Sequence, residues 1–352
     1  MRWVSNINKS SILVLLGVII LFCSSCHTIP GTYYYTVDLR GTFVGDESHI
    51  VVVSQRSGRG KIELHMTGPE LPNPVILSND VAFWCKPAFN SQTNSVIFYS
   101  GDKSKIYSCS LNDYSISEIA EPIGNFYYLH ISEDGNTILD DRAIRKENPL
   151  LRIYRLDDDI YKEYNDSDIG KEIELVSISP DGSLIVYHSN NNLYLLNIET
   201  DGIECLTTNL FDVTMAEWQT FPLELPAFTS DSSEIAFYRE QVIYFMELST
   251  KKVARKLELK RFGDFAIHFM QFSSDNRHLL FEILHRKPDI RSGIYTYNFD
   301  TQAVRRIYDN TKFKTLSPDG KKVMVLGGPP GNKGLYLMGI NGKNIIRISP
   351  DW

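Results

Sequence analysis

The sequence predicts an all-β fold, a β-propeller of four-stranded antiparallel blades, with seven blades favoured and six or eight as the alternatives. Three observations lead there. First, a cluster made of an apolar residue, small residues and a turn recurs seven times, at intervals of 46, 42, 47, 50, 44 and 44 residues. That period is the length of one blade. Second, each cluster is followed by a short run rich in Val, Ile, Tyr and Phe and bounded by Gly, Asp, Asn and Ser, the composition of a buried strand. Third, no helical periodicity of useful length interrupts the repeats. Radial stacking of such sheets buries both faces of each one, which explains why the strands are continuously apolar.

The elements follow in chain order. Residues 1–25 carry two cations, Arg2 and Lys9, then an apolar run over 12–22, then small residues. Eleven residues at ~1.5 Å rise fall well short of a ~30 Å hydrocarbon core, so the layout predicts a secretory signal peptide and not a permanent span. Residues 26–36 are then a tether, and 37–352 a single propeller domain. The clusters begin at Phe43, Phe89, Ile131, Ile178, Phe228, Phe272 and Leu316. Behind each comes a β-rich run such as "SLIVYHS" or "HLLFEIL", then a loop. A second run such as "NLYLLNI" or "GIYTYNF" follows, and a short closing strand such as "IECLT" ends the unit. With the strand that leads into the cluster, each unit holds four strands. The final "ISPDW" imitates a cluster, but its Ile348 lies 32 residues after Leu316 and aligns with the closing strand. It is read as the end of a blade.

Two resemblances emerge from these residues. "CSSC" at 23–26 resembles the lipobox of bacterial lipoproteins, with Cys26 as the lipidated first residue of the mature chain; it departs from the pattern in carrying Cys23 where Leu is usual. The units at Ile178 and Leu316, "ISPDGSLIVYHSNNNLYLLNIETDGIECLT" and "LSPDGKKVMVLGGPPGNKGLYLMGINGKNIIRIS", resemble the propeller repeats of TolB, the periplasmic protein of the Tol system. Related repeats occur in prolyl-oligopeptidase-like enzymes. The resemblance covers most of 43–349. It implies a propeller with a non-catalytic, protein-binding role in the cell envelope, without TolB's separate α/β domain, for which the chain has no room.

Composition narrows the partners. The formal charge is −7, and −9 once Arg2 and Lys9 are removed, which argues against nucleic acid. Cys85, Cys109 and Cys205 are too few and too odd a set for a disulfide framework. The repeated Asp46, Asp134, Asp181, Asp231, Asp275 and Asp319 are read as turn residues whose carboxylates accept backbone N–H bonds, with Gly182 and Gly320 supplying the turn's φ. No nucleophile elbow, zinc helix, P-loop or dinucleotide fingerprint is present, so no catalytic residue, metal site or cofactor is assigned. "NDSDIG" at 165–170 is only a fragment of a calcium loop. His188 and His285, each placed just after the second strand of its unit, share one rim. Some oligogalacturonate lyases of TolB-like fold hold a metal on such histidines. An anionic-glycan-binding or glycan-cleaving propeller is therefore the alternative function.

Blade topology adds a charge argument. Loops joining second to third strands, and blades to each other, leave from one rim, here the loop rim; the other two turns form the turn rim. The second-to-third loops sum to about +8 and the blade-to-blade loops to about −5, against about −11 for the opposite turns. The longest connection, 208–226, is on the loop rim and carries Trp218 and Phe221. The expected binding surface is this rim: Arg56, Arg59, Arg142, Arg145, Trp218, Phe221, His285, Arg286 and Arg291. The expected partner is an envelope protein, with the membrane reached through Cys26.

Overall fold

A computed structural model describes residues 37–45, 49–57, 61–68, 71, 73–82, 87–101, 105–120, 128–141, 151–158, 160–170, 173–189, 192–207, 226–285, 292–309, 312–317, 319–327 and 334–348. They form seven four-stranded antiparallel sheets arranged as a ring. Blade 1 is β1 (Val37–Val44), β2 (His49–Ser57), β3 (Lys61–Thr67) and β4 (Val75–Ser78). Blade 2 is β5 (Ala88–Asn90), β6 (Ser95–Tyr99), β7 (Ile106–Ser110) and β8 (Ile116–Ala120). Blade 3 is β9 (Tyr128–Ile131), β10 (Thr137–Asp141), β11 (Leu151–Arg155) and β12 (Ile160–Tyr164). Blade 4 is β13 (Ile173–Ile178), β14 (Leu184–Ser189), β15 (Asn192–Asn197) and β16 (Gly202–Cys205). Blade 5 is β17 (Ala227–Phe228), β18 (Glu234–Arg239), β19 (Val242–Glu247) and β20 (Lys252–Glu258). Blade 6 is β21 (Phe265–Phe272), β22 (His278–His285), β23 (Gly293–Asn298) and β24 (Ala303–Asp309). Blade 7 is β25 (Lys312–Leu316), β26 (Lys322–Gly327), β27 (Gly334–Gly339) and β28 (Ile346–Arg347).

Every blade is a simple meander in sequence order. First strands stand beside one another around the axis: β1 lies against β5 and β25, and β13 against β9 and β17. Fourth strands form the outer edge, and β16 is exposed along its whole length. "NIIRIS", read from the sequence as the closing strand, supplies the outer strand β28, with Ile348 buried beyond it.

Strand alternation explains the ring. Successive side chains of a strand point to opposite faces, so a second strand serves two neighbours at once. In β2, Ile50 and Val52 pack toward blade 7, while Val51 and Val53 pack toward blade 2. In β18, Ile235 and Phe237 join blade 4, while Ala236 and Tyr238 join blade 6. A one-residue slip would invert both interfaces, which fixes the register. The ring closes by packing, not by a shared strand. Met324, Leu335, Leu337 and Ile348 of blade 7 meet Phe43, Ile50 and Val52 of blade 1, and the Thr67 hydroxyl donates to the Ile348 carbonyl at 3.4 Å.

Four of the seven first strands are irregular. The ladder shifts between Asp38 and Arg40, Glu174 and Ser177, Ile267 and Phe269, and Phe313 and Thr315. Such bulges sharpen the local twist, as strands crowded about an axis require.

The repeated cluster is a self-contained turn. In blade 4, the Ser179 hydroxyl donates to Asp181 at 2.6 Å and accepts the Leu184 N–H at 2.9 Å. The Asp181 carboxylate accepts the Ser183 N–H at 3.2 Å. Ser273 with Asp275 and Ser317 with Asp319 repeat this at 2.6 and 2.7 Å, and Ser132 with Asp134 does the same. The structural reading of these aspartates therefore holds for blades 3 to 7; Asp46 lies outside the described residues. Ser179→Ala removes one donor and one acceptor from a fully buried position. We expect a loss of about 1–2 kcal/mol in urea unfolding, with the fold retained.

Two sequence readings need adjustment. Residues 165–170, a fragment of a calcium loop by sequence, include regular structure. Asp166–Ile169 is one helical turn; the Asn165 N–H donates to Asp168 at 2.8 Å, and Ile169 is buried in the core between blades 3 and 4. Arg56 falls within β2, in the irregular stretch between Ser54 and Ser57, and not in the loop after it.

Candidate functional site

The strand registers fix which connections share a rim. Val37 pairs with Gln55 at the end of β2, so first strands start where second strands finish. Counted by these strand bounds, the second-to-third connections hold ten cations and four carboxylates, and the blade-to-blade connections four cations and nine carboxylates. The loop rim is thus nearly balanced, with its cations gathered in the second-to-third connections. The turn rim holds sixteen carboxylates and four cations. Polarity between the rims is as expected in sign, although the loop rim is less positive than the sequence count because Arg56 and Lys61 belong to strands.

Several turn-rim carboxyls are held below their usual range. Burial alone would raise the Asp181 carboxyl, but hydrogen bonds from the Ser179 hydroxyl, the Ser183 N–H and hydroxyl, and the Ser232 hydroxyl outweigh it and hold it below its usual range. Asp231 and Asp275 are lowered in the same way against the same burial effect. Asp201 is lowered by Lys162, 2.8 Å away, and by the Tyr164 hydroxyl. Those two partners belong to blade 3 and Asp201 to blade 4, so part of the acidic rim ties blades together.

Among the described residues, one side-chain hydrogen bond joins blades on opposite sides of the ring. The Gln271 side chain, on the first strand of blade 6, donates to the Glu133 carboxylate of blade 3 at 3.4 Å. Its amide oxygen accepts the Leu316 N–H of blade 7 at 3.2 Å, which orients it. Blades 3 and 6 stand on opposite sides of a seven-membered ring, so this bond spans the axis at the turn rim. Nothing in the local sequence marks either residue.

Of the residues expected to bind, His285 alone is described with its side chain. It is the last residue of β22, and not just beyond the strand. Its ring stands edge-on to Phe265 at 6.3 Å, and its backbone N–H donates to the Ser292 hydroxyl at 3.3 Å. Arg56 is described in its backbone only; Cys26, Arg59, Arg142, Arg145, Trp218, Phe221, Arg286 and Arg291 lie outside the described residues. His188 is likewise inside its strand, β14, and buried. It and His285 share a rim but sit two blades apart. Among the described residues, no group of three or more His, Cys, Asp and Glu side chains stands close enough to hold a metal ion.

The loop rim also presents a feature that sequence reading passed over. A 3-10 turn, Lys260–Phe262, leads into β21. Phe262 packs edge-on against Tyr295 at 5.1 Å, and the Arg261 guanidinium lies 4.9 Å from the Phe262 ring. Lys260 and Arg261 are exposed. Beside them, Arg306 donates to the Ser292 carbonyl at 3.0 Å and pairs with Asp309 at 2.6 Å. The signal was "LKRFGD", cations and an aromatic ahead of a first strand. Cys109 is a buried free thiol raised by burial and then by Asp113, whereas Cys205 is free and exposed. Cys85 lies outside the described residues.

No protein-family model and no curated protein matches the sequence. Among solved structures, the chain is similar to TolB from Acinetobacter baumannii, at 16% identity and a TM-score of 0.50, over 86% of this chain and 64% of that one. It is also similar to oligogalacturonate lyase from Vibrio parahaemolyticus, at 10% identity and a TM-score of 0.61, over 85% and 88%. Dipeptidyl peptidase 4 from Porphyromonas gingivalis matches at 13% identity and a TM-score of 0.53, over 75% and 46%. At these identities the likeness establishes the propeller fold.

Proposed function

We propose that this chain is an exported bacterial envelope protein, anchored by lipid on Cys26, whose propeller is a non-catalytic scaffold that binds another envelope protein through its loop rim. The observation that supports this most is the segregation of connections. The connections longer than seven residues, and the ten cations of the second-to-third connections, leave from one end of the ring, while the other end has connections of at most seven residues and is acidic. Long connections on a rigid frame are where binding specificity is built, and arginine suits recognition of carboxylates.

The test has two parts. Cys26→Ser should abolish the acyl mass on the N-terminal peptide and release the protein from membranes. Capture from solubilised envelope should yield a discrete partner, and reversal of Arg59 and Arg286 to glutamate should reduce its recovery at least tenfold. No discrete partner, or recovery unchanged by the reversal, would count against the scaffold reading.

A second reading is that the rim binds or cleaves an anionic glycan, favoured by the likeness to a lyase propeller and by the same cations. Metal analysis together with a polygalacturonate binding screen separates the two. Bound divalent metal with saccharide affinity would favour this reading over the first.

A further inference from the structure

We infer that the outer edge of blade 5 takes up an additional strand, an extended acidic segment of a partner protein. This surface is apart from the loop rim, and the inference does not rest on the reading proposed above. β20 ends its sheet, and six of its seven residues are exposed.

Its backbone is open on the outer side. The Leu259 N–H donates to the Gln241 carbonyl at 2.8 Å. Glu258, Leu257 and Lys256 follow in register opposite Val242, Ile243 and Tyr244. Bonded and open positions alternate along an antiparallel ladder, so the N–H and C=O groups of Lys256 and Glu258 point away from β19. Backbone groups placed in this way are the template for a further strand.

Charge sets the kind of strand. Residues 251–256, "KKVARK", hold four cations and no carboxylate, in a chain of 36 cations and 43 carboxylates. The outer strands β4, β8, β12 and β16 carry no net positive charge. The cations of β20 stand on both faces of the edge. Arg255 lies opposite Phe245, with its guanidinium 4.5 Å from the Phe299 ring of blade 6. Lys256 lies opposite Tyr244, on the side of blade 4, with its ammonium 5.2 Å from that ring. Lys251 pairs with Glu204 of blade 4 at 2.9 Å, and Arg255 with Glu234. Lys252 stands opposite Glu247, whose carboxylate accepts the Ser249 and Thr250 hydroxyls.

These features select the occupant. Two copies of β20 would bring like charges together across the new ladder, so the edge rejects a second copy of this chain. A strand with carboxylates on both faces meets a cation on each. The segment that fits therefore carries consecutive acidic residues and not an alternating pattern. Val253, 39% exposed, and the lysine stems offer apolar contact to β-branched residues between them. Edge lysines that serve only to repel other strands would bind no such segment, and the experiment separates the two roles.

The probe is a displayed library of eight-residue peptides, each with four glutamates, two of them consecutive, among Val, Ile, Thr and Tyr. It is selected on the full chain, and the tightest peptide is measured by fluorescence anisotropy. We expect Lys252→Glu combined with Lys256→Glu to weaken it at least tenfold. A twin peptide of the same charge, methylated on two consecutive central amides so that neither edge can pair, should bind at least tenfold more weakly. Glu258→Pro removes an outward N–H together with a negative charge. Strand addition predicts weaker binding there, whereas charge attraction alone predicts tighter binding. Urea midpoints check that both variants fold, and the methylated twin tests the intact protein. No peptide retained, affinity unchanged by the charge reversal, tighter binding to Glu258→Pro, or a methylated twin that binds as well would each overturn the inference.

Discussion

Gly182→Ala is expected to destabilise the propeller by about 3 kcal/mol, a larger effect than any backbone preference alone would give. Gly182 occupies the fourth position of the blade 4 turn at φ +69°. Left-handed backbone costs an alanine about 1–2 kcal/mol. Yet Ser232 and Asn276 hold the same turn position in blades 5 and 6 at φ 58° and 55°, so the conformation by itself is affordable. What distinguishes Gly182 is its neighbour. A Cβ there would lie 2.1 Å from Oγ1 and 2.6 Å from Cβ of Thr137 in blade 3. Gly135 and Gly320 press in the same way on Asn90 and Ser273 of the preceding blades, at 2.7 Å each. The glycines thus set the spacing between blades. Urea unfolding should place Gly45→Ala, at φ +57° with nothing within 4 Å, at only about 1–2 kcal/mol. Adding Thr137→Ala to Gly182→Ala should recover part of the loss, since the Thr137 Cβ remains. Equal costs at Gly45 and Gly182 would contradict the interlock.

A loss of stability of roughly 3 kcal/mol between pH 6.5 and pH 4 is expected from His188 alone. The residue is 3% exposed in β14, opposite Glu174 and Leu193 in the strand register. Burial lowers its pKa from 6.5 to about 4. Between those values the unfolded chain binds a proton that the folded one refuses, so stability is full above pH 6.5 and falls as pH drops toward 4. Asp181, Asp231 and Asp275, whose folded pKa values are lowered, contribute stability above the ordinary carboxylate range. Theirs is lost only as pH falls further, through their lowered values. His188→Asn should flatten the upper part of the stability–pH curve and leave the lower part in place. An unchanged slope between pH 6.5 and 4 would rule His188 out as its source.

Much of the fold was legible because it is local and repeated. Each second strand carries its own alternation, and the turn clusters recur at blade spacing, so seven units could be read without knowing any neighbour. Features set by tertiary neighbours were not legible. The contact of Gly182 with Thr137 joins residues 45 apart, and Gln271 meets Glu133 across 138 positions; neither residue is unusual in its own segment. The bulges of the first strands also arise from crowding about the axis, which no strand encodes alone. At the candidate site, the meander of each blade was enough to tell which connections share a rim. Individual positions such as Arg56 and the two histidines were misplaced by a residue or two, because strand ends leave no sharp compositional edge. The Lys260–Phe262 turn was missed because a three-residue helix has no period to detect.

We propose that the loop rim, and not the acidic turn rim, is the working face. Photo-crosslinking in the native envelope tests it directly, with a benzoylphenylalanine at Lys105 or Lys260 on the loop rim and at Asp158 or Asp300 on the turn rim. One discrete adduct is expected, common to both loop-rim positions and absent from both turn-rim positions. The same adduct formed from the turn rim, with none from the loop rim, would contradict it.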